Sequence, residues 1–258
     1  MSALLALPVA VAYHLVSALL SVFAPAPGGL AAAAAIVAFT AAVRLLLLPL
    51  SYRAFRGELA RARLAPQIQQ LYRRHGKQPE RLQRELAALR TAEGTGMYAG
   101  CLPALLQLPF FSVVYRLFLT PTAAGGPNLL LRHPLAGVPL GSHWLAVAPW
   151  STHGLVFAVL FGLLAAVAVG SVRAARRWAG PAQPGRPAPP GRPGDQDAAA
   201  RITAALARVA PFTVVIFAAF VPLAAGLYLL TTTAWTLAER TVLRRLAPRL
   251  DHGWRDHV

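Results

Sequence analysis

The chain has 258 residues, of which 56% are hydrophobic and only 13% are charged, and its formal net charge is +16. A soluble domain carries about 25% charged residues and lacks apolar runs of about 20 residues, the length that crosses a bilayer core. The composition therefore excludes an ordinary soluble domain and indicates an all-α polytopic membrane protein.

Residues 1–27 predict an extracytoplasmic helix that lies on the membrane surface. Pro8 interrupts the apolar run, and His14, Ser17 and Ser21 share one helical face, which is typical of a weakly amphipathic interfacial helix. A sixth span is the alternative, because the run is long enough to cross a bilayer. A secretory signal begins with a basic region that this segment lacks, so we do not expect a cleaved signal.

Residues 28–245 predict a core of five membrane-spanning helices. The approximate bounds of the spans are 28–50, 99–119, 153–172, 207–221 and 223–241. Pro222 joins the last two spans, which we expect to form a tight helical hairpin.

Two further segments lie between and after the spans. Residues 51–98 predict a cytoplasmic helical hairpin, whose first helix we expect to be interrupted at Pro66 and whose turn contains Gly76 and Pro79. The Pro- and Gly-rich residues 180–194 predict a flexible cytoplasmic linker. The loop between spans two and three predicts turns only, and residues 246–258 predict a short cytoplasmic tail.

The loop charges predict the orientation of the chain. Ten Lys and Arg residues lie in 51–98, seven in 173–208 and five in 240–258, whereas 120–152 has one and 1–27 has none. Because basic loops remain in the cytoplasm, we expect the N-terminus outside and the C-terminus inside. Topology alone accounts for the positive charge, and this weakens the alternative that the chain binds nucleic acid.

The sequence lacks the patterns that catalysis or cofactor binding would need. Motifs for nucleotide binding, for zinc proteases and for a nucleophilic serine are absent, and the seven histidines show no ligand spacing. The single cysteine, Cys101, excludes an intramolecular disulfide and a cysteine-based metal site. We therefore expect no enzyme activity, no cofactor and no metal.

Arg44 is the exceptional residue, because it lies inside the first apolar span. A charge at the centre of a membrane helix costs at least ~2.5 kcal/mol. Arg44 is about 9 Å from Leu50 along a helix, so snorkelling to the headgroups and a water-filled cavity open to the cytoplasm explain it equally well. Polar residues at similar depth in other spans favour the cavity, although threonines in helices usually bond their own backbone. These residues are Gln107, Thr231, Thr232, Thr233 and Thr236.

Three stretches resemble the YidC/Oxa-type membrane protein insertases. They are VRLLLLPLSYRAF at 43–55, a hairpin at 67–94 that leads into AGCLPALLQLPFFSVVYRLF at 99–118, and PLAAGLYLLTTTAWTLAER at 222–240. The resemblance implies a hydrophilic groove that opens to the cytoplasm and stops within the bilayer, with Arg44 as its arginine and Tyr228 at its substrate-contacting tyrosine. The chain departs from the family pattern at Gly96, Met97, Leu229, Thr233 and Glu239.

The sequence hypothesis is thus an insertase and chaperone of the bacterial cell membrane, which inserts and helps to fold nascent membrane proteins through this groove. The expected groove residues are Arg44, Gln107, Tyr228, Thr232, Thr233 and Trp235, with Glu239 as a partner at the groove mouth. The expected partners are nascent membrane proteins and the lipid bilayer, with the Sec translocon and the ribosome as candidates, no specific nucleic acid and a monomeric working form. The alternatives are a small solute transporter or channel, and a scaffold that binds ribosomes or RNA.

Overall fold

The structure is a computed structural model of the whole chain. It describes residues 2–26, 29–75, 78–92, 117–120, 122–123, 126–146, 148, 150–178, 205 and 209–255. The described part is mostly helical, which confirms the expected fold class at this coarse level. Two compact units make up the chain. The core unit comprises Met1–Leu48, Gln107–Ala174 and Pro211–Val258, and the hairpin unit comprises Pro49–Leu106 and Ala175–Ala210.

Seven α-helices, two short 3-10 helices (Leu129–Arg132 and Trp144–Ala146) and four short strands follow one another along the described chain. The helices are α1 Ser2–Val22, α2 Leu30–Leu46, α3 Leu48–His75, α4 Pro79–Ala92, α5 Thr152–Trp178, α6 Val209–Phe220 and α7 Leu223–Arg255. The strands are β1 Thr122–Ala123, β2 Gly126–Pro127, β3 Pro134–Leu135 and β4 Val138–Pro139, paired antiparallel as β1–β2 and β3–β4.

The described helices support part of the expected span pattern. By length and composition α5 could cross a membrane, and α2 followed by Leu48–Leu59 passes the same test as a broken pair. The apolar helices Val9–Val22 and Val209–Phe220 are shorter. The predicted second span lies outside the described residues except for its end, where residues 117–119 are helical. The count of five spans therefore stays a prediction, and the predicted linker at 180–194 also lies outside the described residues.

The helix that begins the first predicted span ends before the apolar run of the sequence does. The run continues to Leu50, but α2 ends at Leu46 and a new helix begins at Leu48. Pro49 explains the break, because proline lacks an N–H and its ring clashes with the carbonyl four residues earlier, whereas the first turn of a helix tolerates it. Arg44 consequently lies in the last turn of α2.

The helices of the hairpin unit are more continuous than the sequence predicted. The expected interruption at Pro66 is wrong, because α3 runs unbroken through this position. An internal proline costs about 3 kcal/mol, and packing within the unit offsets it. Both helices bury apolar side chains, which are Phe55 and Leu64 on α3 and Leu82 and Leu86 on α4. His75 Nε2 lies 3.4 Å from Glu85 Oε2 and links the two helices.

Residues 126–142 form an ordered structure, called the cap below, where the sequence predicted only turns. Leu130, Val138 and Leu140 are buried in the same apolar cluster as residues of α2, α5 and α7. The cap carbonyls of Ser142 and Leu140 accept hydrogen bonds from the backbone N–H groups of Leu223 and Ala224, both at 2.9 Å. The first N–H groups of a helix have no partner within it, so the cap satisfies the start of α7.

The core unit is built around α2. This helix packs against α1 and against α7, with Ala32, Ala35 and Ile36 fully or almost fully buried. Small side chains let membrane helices approach closely, and the alanine-rich sequence of α2 serves this purpose. The buried residues Phe157 and Leu164 connect α5 to the same cluster. The fold thereby brings the end of α2, which carries Arg44, alongside α7.

Gly29 precedes α2 and lies against the cap. Its φ is +75°, a left-handed conformation that L side chains rarely adopt, and a Cβ atom here would lie 2.6 Å from the Pro134 carbonyl oxygen. This oxygen belongs to the backbone of β3 and not to a flexible side chain, so it could not move away without displacing the strand. This position therefore requires glycine both for its backbone angle and for space.

We expect Gly29→Ala to lower the free energy of unfolding by about 1–3 kcal/mol, since it forces an alanine into a strained conformation. The matched control is Gly57→Ala, because Gly57 lies within α3 and an added Cβ would meet nothing within 4 Å. The control should be neutral or stabilising by about 0.5–1 kcal/mol. Thermal unfolding of the detergent-solubilised protein measures both, and equal melting temperatures for the two variants would contradict this account of Gly29.

Candidate functional site

One face of α7 carries four of the residues that the sequence singled out. Tyr228, Thr232, Trp235 and Glu239 follow one another at spacings of four, three and four residues. At about 100° per residue, the eleven steps from Tyr228 to Glu239 return to within about 20° of the starting direction. These residues therefore form a single stripe along the helix, called the polar stripe below.

Thr233 lies away from the polar stripe. It follows Tyr228 by five residues and points about 140° from it around the helix axis. Its Oγ1 donates to the Leu229 carbonyl at 2.7 Å and reaches the Leu230 carbonyl at 3.1 Å. Thr231 and Thr236 bond the carbonyls four residues earlier in the same way, at 2.9 and 2.8 Å. These hydroxyls donate to carbonyls of their own helix, as threonines in membrane helices usually do.

Thr232 differs from its neighbours. Its Oγ1 atom is buried, and within the described chain it completes no hydrogen bond of good distance and angle. The Tyr228 side chain, one turn earlier, is close enough to interact with it. A buried polar group without a full hydrogen bond costs about 1–3 kcal/mol. The buried hydroxyl therefore adds a polar group to the interior next to the tyrosine.

Arg44 contributes the positive charge of the site. It lies half-buried in the last turn of α2, and its charge acts on the Tyr228 side chain. Among the described residues Arg44 forms no ion pair with an acid. A partly buried guanidinium without a carboxylate beside it presents several donors to an anionic group that enters the site.

Glu239 lies at the other end of the polar stripe. Its Oε2 accepts a hydrogen bond of 3.1 Å from Trp235 Nε1, and both side chains are half-buried. Among the described residues Glu239 forms no ion pair with Arg44. The structure thus pairs Glu239 with Trp235, whereas the sequence led us to expect Arg44 as its partner at the groove mouth. Gln107, the remaining expected groove residue, lies outside the described residues.

Phe118 is a residue of the site that the sequence reasoning did not single out. Its ring is fully buried and stacks on the Tyr228 ring, with centroids 5.9 Å apart and planes inclined by 27°. The stack holds the apolar side of Tyr228 while its hydroxyl stays near Thr232 and Arg44. Nothing in the sequence distinguishes Phe118 from the other aromatic residues of its apolar run, since its role depends on a tertiary contact.

We expect the Phe118–Tyr228 stack to couple the two residues energetically. In a double-mutant cycle on unfolding free energy, Phe118→Leu and Tyr228→Leu should be non-additive by about 0.5–1.5 kcal/mol, the usual value for an aromatic pair. The control cycle combines Phe118→Leu with Trp150→Leu, because Trp150 is 100% exposed and cannot touch the buried ring. Additivity in the first cycle would contradict the stack.

The fold and site define a helical membrane protein in which an arginine lies beside a tyrosine on a polar stripe. Residues 24–249 match the family model described as 60Kd inner membrane protein. The chain belongs to this family, and the match confirms the resemblance found in the sequence.

Three bacterial relatives, each named membrane protein insertase YidC, are similar to parts of the chain. The Granulibacter bethesdensis protein is 37% identical over 105 residues, which are 40% of this chain and 18% of that protein. The Ruegeria sp. protein is 31% identical over 144 residues, 52% of this chain and 24% of the relative. The Helicobacter pylori protein is 35% identical over 82 residues, 32% of this chain and 15% of the relative. The matched segments thus span less than a quarter of each relative.

Proposed function

We propose that the chain is a membrane protein insertase and chaperone of the bacterial cell membrane. It inserts nascent integral membrane proteins and helps them to fold, through a hydrophilic groove that opens to the cytoplasm. The observation that carries this proposal is the half-buried Arg44 beside Tyr228, with no ion pair to any acid of the described chain. The family match over residues 24–249 and the names of the relatives support it.

Arg44 attracts the short, acidic extracytoplasmic segment of a nascent protein. Two unit charges 4 Å apart attract each other by ~1 kcal/mol in water but by ~4 kcal/mol at the lower effective dielectric of a protein surface. The hydroxyl of the partly exposed Tyr228 offers a hydrogen bond to the polar backbone of the same segment. The indole of Trp235, held by Glu239, provides an apolar wall further along the polar stripe.

The groove lowers the barrier because it shortens the hydrophobic distance that a polar segment must cross. Burial of the apolar residues of the new helix in lipid then drives insertion, at about 25 cal/mol for each Å² of apolar surface removed from water. This driving force needs no bound nucleotide. The proposed topology has five spans, with the N-terminus outside and the hairpin of α3 and α4 in the cytoplasm, where it first meets the nascent chain. The Sec translocon and the ribosome are proposed partners, and a monomer is the proposed working form.

The cap favours an insertase over the alternative of a solute transporter or channel. A transporter needs a polar path through the outer half of the core unit. Leu130, Val138 and Leu140 of the cap instead contribute buried apolar side chains to the core there. A groove that is polar near Arg44 and apolar at its outer end suits a nascent membrane protein, which leaves the groove laterally into the lipid bilayer.

We expect Arg44→Ala to reduce insertion of a substrate with an acidic short segment by roughly tenfold, which corresponds to ~1.4 kcal/mol of lost attraction. Arg44→Lys should retain most of the activity, because the positive charge remains. A substrate whose acidic residues are replaced by neutral ones should respond to neither change. The control is Arg173→Ala, an exposed arginine on α5. Protease protection of the inserted segment in proteoliposomes measures each case, and full activity of Arg44→Ala would show that the charge is dispensable.

Position 44 should be reachable by water from the cytoplasmic side alone. In a background with Cys101→Ala, Arg44→Cys should react with a membrane-impermeant thiol reagent in inside-out vesicles and not in right-side-out vesicles. The control is Leu145→Cys after the cap, which is 72% exposed and should react from the opposite side. Labelling of position 44 from the outer side, or from neither side, would refute the proposed groove.

A further inference from the structure

Asn128 is a buried polar residue of the cap. Its relative exposure is 3%, and its Nδ2 donates to two backbone carbonyls, that of Leu117 at 2.8 Å and that of Thr120 at 3.2 Å. These carbonyls end the short helical segment at 117–119, where the last carbonyls of a helix lack partners within it. One amide thus donates to two backbone carbonyls at once.

The two carbonyls lie on either side of Phe118. Asn128 therefore fixes the backbone that presents this ring, and Phe118 stacks on Tyr228 at 5.9 Å. The other partner of the stack is held by the same cap, because the Leu140 carbonyl accepts the N–H of Ala224, one helical turn before Tyr228. The cap thereby contacts the backbones that carry both rings.

The cap is tied together by its own hydrogen bonds. The N–H of Leu131 donates to the Asn128 carbonyl at 3.3 Å, and the N–H of Gly141 donates to the Leu131 carbonyl at 2.8 Å. A continuous path of hydrogen bonds consequently runs from Asn128 to Gly141, which lies between the two cap residues whose carbonyls bind the start of α7. Movement at Asn128 would change the distance between the two rings.

We infer that Asn128 is a positioning residue, which sets the place of the Tyr228 hydroxyl relative to Arg44 by holding Phe118 in register. The effect of this positioning on insertion rests on the proposed function, whereas the positioning itself does not. The amide is specifically required. A carboxylate in its place would turn acceptor oxygens toward two carbonyls, and an apolar side chain would remove both hydrogen bonds to the backbone around Phe118.

The experiment places a fluorotyrosine at position 228 of the full-length protein in lipid nanodiscs and records its fluorine resonance. Phe118→Leu provides the reference, because it removes the ring current of the stacked neighbour. Asn128→Leu should move the resonance toward that reference, and Asn128→Asp should move it in the same direction. The matched control is Ser151→Ala, which removes a side-chain bond to the Ala148 carbonyl and the acceptor for the Gly154 N–H, away from Phe118. It should leave the resonance in place.

A folded Asn128→Leu protein with an unchanged resonance would overturn the inference. If Asn128→Leu does not fold, Asn128→Asp decides by the same criterion. The second readout is insertion, which Asn128→Leu should reduce roughly fivefold to thirtyfold, with no further loss when Phe118→Leu is added. A shifted resonance with full insertion would refute the functional part of the inference. The insertase proposal would in that case still be judged independently by Arg44→Ala.

Discussion

A guanidinium in a half-buried place must be stabilised by water, by an anion or by polar groups, because removing a charge from water is expensive. Arg44 lies in such a place and has no ion pair within the described chain. Within the described chain the Tyr228 side chain lies near the guanidinium, and no acid pairs with it. An acid beside the arginine would neutralise its charge. We propose that the core unit, which places no acid against Arg44 among the described residues, keeps this charge available to an incoming segment.

The rest of the core unit positions this charge. Pro49 ends the continuity of the first apolar run, so that Arg44 lies in the last turn of α2 instead of deep inside a longer helix. The alanines of α2 allow close packing against α7, which carries the polar stripe. At the opposite end, the cap closes the unit with apolar side chains and binds the first N–H groups of α7. The unit is therefore polar near Arg44 and sealed by apolar packing at the cap.

Much of this arrangement could be predicted from local sequence patterns. The helical class follows from the apolar runs, and the common face of Tyr228, Thr232 and Trp235 follows from helical spacing. Thr233 is an expected groove residue because it belongs to the same threonine run, but its direction around the helix axis differs from theirs by more than about 90°. The helix break at Leu47 within the first predicted span could not be seen from hydropathy, which does not register the effect of Pro49. The interruption expected at Pro66 was wrong, since packing within the hairpin unit offsets the cost of a proline inside a helix.

The cap, with Asn128 and its contact to the backbone around Phe118, could not be predicted, because Pro- and Gly-rich loops look alike until long-range contacts select one conformation.

The central claim is that a nascent membrane protein passes beside Arg44 and Tyr228. It is tested most directly by site-specific photo-crosslinking from positions 44 and 228 to a ribosome-stalled nascent membrane protein with an acidic short segment. The account predicts adducts from both positions to that segment. It also predicts no adducts from Trp150, which is fully exposed and lies beyond the cap at the start of α5. Adducts from position 150 with none from positions 44 and 228 would contradict it.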